Sequence, residues 1–554
     1  MTSLFETHRA TLEAALAALA KRDYWTPYPE APSGKIYGET ASADAKARFD
    51  AQLGKPFDLD QPAPAQVGAE RSPFGFDLAI TYPQRSVDDL INRARGVIGD
   101  WRKAGVKARV GVCLEILHRI NRASFDIAYA VQHTTGQAFV MAFQAGGPHA
   151  QDRGLEATAM AYAEMARTPS QARWEKPAGK GEMLRMAKTF TIVPRGIGLV
   201  VGCSTFPTWN GYPAIFADLA TGNPVIVKPH PAAILPLAVT VRIARAVLKE
   251  QGFDPDIVQL AVDTADAPIT QALARRREIA LIDYTGSSAF GDWLAANAPH
   301  AQLFAEKAGV NAVMVDSTDN AKGMFQNLAF SLSLYSGQMC TTPQNIFVPR
   351  GGIMTETGPM SFDDFARGLA SAIDKLLADP ARAVEFLGAI QNLATLKRLD
   401  EARRQGAVVR ESAALAHPQF PNATVRTPLI VKAERDKPEI WTHEMFGPIA
   451  YLIAVDSTAD ALACGLGTAR TKGAITASLY STNREVIDQA VDMAAEAGVA
   501  LSCNLTGGVF VNQSAAFSDF HATAANPAST ASLTDAAFVA SRFHVVQSRI
   551  PVAA

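Results

Sequence analysis

The feature that most constrains this chain is a change of rhythm near residue 188. Upstream, the segment 86–147 repeats apolar residues at three- and four-residue spacing, the period of helices that bury one face, with Ser86 as a candidate N-cap. Cys113 sits on that apolar periodicity and reads as core. From 188 onward, TFTIVPRGIGLVVGCSTFPTW alternates and then becomes continuously apolar. A helical stretch follows, then NPVIVKP, the helix PLAVTVRIARAVLKEQG, and the runs DIVQLAV and IALIDYTGS. A run apolar on both faces belongs to a strand covered on both sides, and strands alternating with helices at this spacing predict an α/β fold with a doubly wound parallel sheet. Ligands of such sheets bind beyond the carboxyl ends of the strands. That directs attention to Cys203–Pro207, Lys228-Pro229-His230 and Thr285-Gly286-Ser287.

At 554 residues, two or three packed units are expected. A second α/β block runs from about 307 to 513, with strands expected at NAVMVD, QNIFVP, PLIVKA, IAYLIAV, ITASLYS and GGVFVNQ, and a final β-like run, FHVVQSRIPV. The formal net charge of −2 provides no basic face for nucleic acid. The five cysteines form no close pairs, so neither a disulfide framework nor a zinc spacing is expected, and a reducing compartment fits. The N-terminus reads as an amphipathic helix without the order of a signal peptide, and no apolar run reaches membrane-spanning length, so the cytoplasm is the expected location and no membrane partner is expected.

Several residues carry chemical weight. Cys340 lies in SLSLYSGQMCTTPQ, among small, polar and turn-forming residues, where a nucleophile sits more naturally than a packing thiol. Glu306, in QLFAEKAGVNAVMV, is either a solvated surface carboxylate or a base whose pKa apolar surroundings raise. Lys228 closes a buried strand and either snorkels to solvent or meets a ribose or phosphate. Gly286, Ser287 and Gly291, in TGSSAFG, mark a strand-to-helix turn that suits phosphate, although an ordinary turn fits equally and the dinucleotide fingerprint itself is absent. Glu444, in WTHEMFGPIA, is placed to accept hydrogen bonds from a sugar, and His443 beside it has no second histidine at metal spacing. No metal site is expected.

The order and separation of Lys228, Gly286, Glu306, Cys340 and Glu444, with LATGNPVIVKP and HEMFGP, resemble the aldehyde dehydrogenase superfamily over residues 86–513. GCSTFPTWNGYP, KPHPAAILPLA and HTTGQAFVMAFQAGGPHAQDRGLEA are similar to a branch that acts in phenylacetic acid degradation. The resemblance implies that Cys340 attacks an aldehyde to give a thiohemiacetal and then a thioester, and that Glu306 activates water to release the acid. Lys228, Gly286, Ser287, Gly291, Glu444 and Phe446 would hold NAD or NADP. It implies 1–172 with 196–306 as an extension plus cofactor domain, 307–513 as the catalytic domain, and 173–195 with 514–554 as elements of a β-flap that assembles a homodimer or homotetramer. The substrate implied is a CoA-linked aldehyde, 3-oxo-5,6-dehydrosuberyl-CoA semialdehyde, and no fused ring-opening domain is expected.

The sequence departs from the family at two positions. Thr205 occupies the place of the family's oxyanion-hole asparagine, and Asn210 lies five residues on; spacing favours Thr205. Pro231 stands where NAD-preferring relatives place a glutamate, which favours NADP. The rival readings are a cofactor-independent thiol hydrolase using His300 or His443, and a catalytically silent binding protein of the same fold.

Overall fold

The computed structural model describes residues 3–179, 181–307, 309–511 and 514–552. Two sheets organise the chain. The first has five strands in the order Gln302–Lys307, Ile279–Gly286, Ile197–Val201, Val225–Lys228 and Val258–Leu260. All neighbours in it are parallel. The chain enters at the central strand Ile197–Val201, builds outward to one side, and returns to build the other. The order therefore reverses between Ile197–Val201 and Ile279–Gly286, the point at which such sheets open a crevice for a ligand. The helices Pro207–Thr221 and Leu235–Glu250 bury most of their residues around this sheet, as the continuous apolar runs require.

The second sheet has seven strands, ordered Ala407–Arg410, Leu429–Ala433, Ile449–Val455, Asn345–Pro349, Ala312–Val315, Thr476–Tyr480 and Ala500–Cys503. Only its first strand runs antiparallel to its neighbour. A third, antiparallel sheet pairs Phe543–Pro551 with Glu182–Pro194, which pairs in turn with Gln171–Gly179. The apolar stretch that begins near 188 is therefore two strands in two sheets: its alternating half lies in the flap and its continuous half in the buried sheet. At the root of the flap the Arg542 guanidinium is fully buried, 2.7 Å from Asp218 and 2.6 Å from Asp283.

Gln302–Lys307 is an edge strand of the first sheet, so Glu306 belongs to that sheet, within the 196–306 segment. One expected strand is absent from the described residues. GGVFVNQ forms no strand over 507–511, and its last two residues lie outside the described residues.

The helices of the N-terminal extension, Arg9–Lys21 and Ala41–Gln52 among them, pack on the helical layer. A Cβ on Gly111 would stand 2.5 Å from the Phe5 backbone nitrogen, so this contact needs glycine. Glu70 then joins the extension to the first sheet: its carboxylate accepts the N–H groups of Ile234 and Leu235 at 2.6 and 3.0 Å, at the start of the helix that follows Lys228. Burial pushes Glu70 up to about 7, against the pull of those hydrogen bonds and of Tyr82. Among the described residues, no helix is long and apolar enough to cross a membrane.

Candidate active site

Two cavities meet at Cys340. One, of about 660 Å³, opens at the carboxyl ends of the first sheet and includes Lys228, Gly286, Ser287, Glu306, Glu444 and Phe446. The other, of about 720 Å³, is a vestibule walled by aromatic residues such as Trp25, Trp209, Phe330, Phe386 and Phe510. Phe206, Asn210 and Cys340 line both.

Cys340 is delivered by a tight turn after the helix Ala321–Ser333. Tyr335, Ser336 and Gly337 lie consecutively in the left-handed region, with φ of 52°, 48° and 63°. Two of them are not glycine, a conformation that costs roughly 1–3 kcal/mol per residue. The surroundings hold it in place. The Ser336 hydroxyl meets the carbonyls of Leu387 and Arg426 at 3.0 and 2.9 Å, and the Tyr335 hydroxyl donates to the Thr135 carbonyl. A Cβ on Gly337 would come within 2.4 Å of the Gly447 oxygen. Asn311 Nδ2 donates to the Cys340 carbonyl at 2.8 Å. The thiol is half-buried at the meeting of the two cavities.

Glu306 and a residue the sequence did not single out, His521, complete a cluster. Cys340 Sγ lies 3.8 Å from His521 Nε2, and His521 Nε2 lies 3.1 Å from Glu306 Oε1. Asn210 Nδ2 donates to Glu306 Oε2 at 3.3 Å. The segment bearing His521 is anchored by a buried pair on the helix Pro148–Ala166, where Arg153 and Glu156 stand 2.8 Å apart. Arg153 donates to the Asp519 carbonyl and the Ser514 hydroxyl at 3.1 and 2.6 Å, and Glu156 accepts the Phe517 N–H at 3.0 Å. The His521 ring stands edge-on to Trp209, with centroids 4.7 Å apart.

The electrostatics reverse one expectation. Burial raises the Glu306 pKa, but the adjacent His521 imidazole and the Cys340 thiol outweigh it and hold the carboxyl below its usual range. Burial and the facing Glu306 carboxylate push the Cys340 thiol well above the ordinary range. The resting pair is therefore a protonated thiol beside an ionised carboxylate, not a base whose pKa its surroundings raise.

In the other cavity, Lys228 is 2% exposed and does not snorkel; its Nζ lies 2.6 Å from Asp263 Oδ1 and donates to the Pro229 carbonyl at 2.7 Å. Ser287 caps the helix Ser288–Asn297, accepting the Phe290 N–H at 3.4 Å. Gly291 does not line the cavity: a Cβ there would strike the Lys307 side chain at 2.7 Å, so this glycine serves packing. Burial lifts Glu444 to about 7 despite Arg398 and a hydrogen bond from Gly309. Thr205 borders this cavity but not the vestibule, and its carbonyl accepts from Gln137 Nε2 at 2.8 Å. Asn210, not Thr205, thus reaches the cluster. His300 meets the Arg276 carbonyl at 2.9 Å, and the His443 carbonyl accepts from Gln344 at 2.9 Å; the imidazole beside the thiol is that of His521.

Comparison with known proteins supplies the context. Residues 80–517 match the aldehyde dehydrogenase family. A solved NAD-dependent aldehyde dehydrogenase from Burkholderia multivorans is 59% identical, with 100% of both chains covered and a TM-score of 0.98. N-succinylglutamate 5-semialdehyde dehydrogenase of Paraburkholderia xenovorans is 26% identical over 68% of this chain and 73% of its own. 2-Aminomuconic 6-semialdehyde dehydrogenase of a Pseudomonas species is 24% identical over 71% and 79%.

Proposed function

We propose, from the premise that this chain belongs to the aldehyde dehydrogenase family, that Cys340 is the nucleophile in its oxidation of an aldehyde to a carboxylic acid. The chain is an oxidoreductase of the NAD(P)-dependent aldehyde dehydrogenase type. The observation that carries the reading of the site is the convergence of Cys340, Glu306 and His521 where the two cavities meet.

The donors of the 660 Å³ cleft fit a nicotinamide dinucleotide. Lys228 and the helix N-terminus at Ser287 suit its phosphates and adenosine ribose, Glu444 suits ribose hydroxyls, and Phe446 offers an apolar surface to a ring. Bound, the cofactor supplies the acceptor for the electron pair that leaves the aldehyde carbon. The protein's residues do the rest. Glu306, already ionised, takes the proton of the Cys340 thiol, and the freed thiolate adds to the carbonyl carbon. Asn210 Nδ2 turns from Glu306 to the new oxyanion, a donor whose loss costs about 3 kcal/mol in comparable sites. Once the carbon is oxidised, Cys340 carries a thioester. Glu306 first passes the thiol's proton to solvent and then takes a proton from water, the water oxygen bonds to the acyl carbon, the carbon–sulfur bond breaks to release the acid, and Glu306 gives its proton to the sulfur, which restores the thiol. His521 keeps Glu306 ionised and in reach.

Pro231 leaves the position three residues after the strand-end lysine without a carboxylate and favours NADP, but Asp263 brings a carboxylate to Lys228 and opposes a 2′-phosphate. Our reading is that both cofactors are accepted and that Asp263 moves the balance towards NAD. For the substrate, the motifs shared with the phenylacetic acid degradation protein PaaN support a CoA-linked semialdehyde, 3-oxo-5,6-dehydrosuberyl-CoA semialdehyde. A vestibule of about 720 Å³ has room for a long acyl arm. Its charged lining includes Glu30, Asp152 and Glu385, with no lysine or arginine among the described residues, so the CoA phosphates belong outside the rim. Exposed Leu184, Val545, Val546 and Ile550 on the flap sheet support assembly into a homodimer or homotetramer.

The test is steady-state oxidation of an aldehyde panel, CoA-linked semialdehydes included, with NAD and NADP side by side, followed at the reduced-nicotinamide absorbance. Turnover that requires cofactor and Cys340 is expected. Acid release without cofactor reduction contradicts the reading.

A further inference from the structure

We propose that Cys340, His521 and Glu306 form a binding site for one zinc ion, or a cation of its class, which caps the thiol and holds the enzyme inactive until the ion is removed. The three side chains offer sulfur, nitrogen and oxygen, the ligand types zinc prefers. Their ligand atoms lie within 4.8 Å of one another. Zinc bond lengths of about 2.3 Å to sulfur and about 2.1 Å to nitrogen and oxygen, at tetrahedral angles, set ligand edges of about 3.6 Å for S···N and about 3.4 Å for N···O. The observed separations are 3.8 Å for Cys340 Sγ to His521 Nε2 and 3.1 Å for His521 Nε2 to Glu306 Oε1. These two edges match to within a few tenths of an ångström, and the third, from Cys340 Sγ to the Glu306 carboxylate, lies within 4.8 Å where the ion would set about 3.6 Å.

Direction supports distance. Glu306 Oε1 lies at ion-pair distance from the imidazole, yet among the described residues it accepts no aligned hydrogen bond. Asn210 holds the other carboxylate oxygen at 3.3 Å, which fixes the carboxyl plane and leaves Oε1 for the ion. His521 and Glu306 are only 3% and 7% exposed, so little reorganisation is left to bind a cation. A thiolate and a carboxylate neutralise a dication, which removes the penalty of burying the charges separately. Three protein ligands at the meeting of the two cavities leave a fourth position open, as in an open zinc site. Because Glu306, Cys340 and His521 come from distant parts of the chain, no spacing in the sequence announces it. Binding replaces the S–H bond with an S–Zn bond, and the proton goes to the buffer.

The test uses full-length enzyme, reduced and stripped with chelator, without aldehyde or cofactor, titrated with Zn²⁺ or with Co²⁺ as a spectroscopic probe. One ion per chain is expected. With cobalt, a thiolate-to-metal charge-transfer band and the visible bands of four-coordination should appear. Zinc should block alkylation of Cys340 by iodoacetamide, and chelator should restore it. Cys340→Ser should remove the charge-transfer band, and His521→Asn should weaken affinity by about tenfold or more. Cys203→Ser, which alters the neighbouring thiol at Asn210, should change neither stoichiometry nor band. Absence of binding, a cobalt spectrum without the thiolate band, or parental affinity in Cys340→Ser overturns the site. If His521→Asn fails to fold, the parent spectrum and Cys340→Ser still decide. Because no turnover is measured, binding is tested independently of whether Cys340 is the nucleophile, and the loss of activity rests on that reading.

Discussion

The two cavities that share Cys340 are nearly equal in size, about 660 and 720 Å³, and differ in the charges of their walls. The first is built from strand ends and a helix N-terminus, and its lining sets the cations Lys228, Lys307 and Arg398 among the carboxylates Asp263, Glu306 and Glu444. The second is built from the N-terminal extension, the helix after the Cys203 turn, and the segment beyond 507; it is aromatic, and the charges among its described lining residues are acidic apart from the histidines. The difference assigns the labour. A sheet's carboxyl edge offers a ligand crevice where the strand order reverses, whereas the vestibule is made of connections and termini, where binding residues concentrate.

The sharpest break is at the shared wall. Cys340→Ala should lower kcat by roughly a thousandfold or more, while cofactor affinity measured by fluorescence quenching changes little. Parental turnover would move the chemistry elsewhere. Next comes the support of the vestibule side: Arg153→Met strands Glu156 in the core and should cost about 3–5 kcal/mol in denaturant unfolding. Arg153→Lys should recover part of that stability, and a loss confined to activity would contradict the anchoring role. On the cleft side, Asp263→Asn should shift the NADP/NAD ratio of kcat/KM towards NADP by about tenfold, or ~1.4 kcal/mol. An unchanged ratio would free Asp263 of any part in cofactor choice.

Glu444 yields a pH signature in the cleft alone. Its folded pKa is raised to about 7 from 4.5, so the native state holds a proton that the unfolded chain has lost between those values. Its contribution to stability therefore falls as pH rises across that window. On the proposed reading the ionised form accepts the ribose hydroxyls, so KM for the cofactor should rise as pH falls through about 7. In Glu444→Gln this step should vanish while the aldehyde KM keeps its own profile. Smallest is Trp25→Ala, expected to raise the aldehyde KM by about threefold without moving that of NAD, as lost apolar contact of under 1 kcal/mol dictates. An equal change in both would erase the division between cavities.

Much of the first cavity was legible because strands covered on both faces must be apolar throughout, as at Val225–Lys228 and Ile279–Gly286. Cys340 was legible because polar and turn residues surround it. The vestibule was not. GGVFV has the composition of a strand, yet Phe510 stacks on Phe330 with centroids 4.1 Å apart and forms part of the wall. His521 stands 181 residues from Cys340 along the chain, so only the folded geometry brings it there. The sign of the Glu306 shift depended on that same imidazole, and no local pattern held it. Gly291 read as part of a phosphate turn because glycine serves equally for loop shape and for close packing.

The central claim is a covalent bond to one sulfur atom. Glu306→Gln removes the base for thioester hydrolysis and also the negative charge that holds the Cys340 thiol up, so that at about pH 9, near the ordinary thiol range, the thiol can lose its proton to solvent; this variant, mixed there with aldehyde and cofactor and quenched, should show by intact mass one acyl group per chain, which peptide mapping assigns to Cys340. An unmodified chain, or an acyl group carried by Cys203 or any other residue, would contradict it.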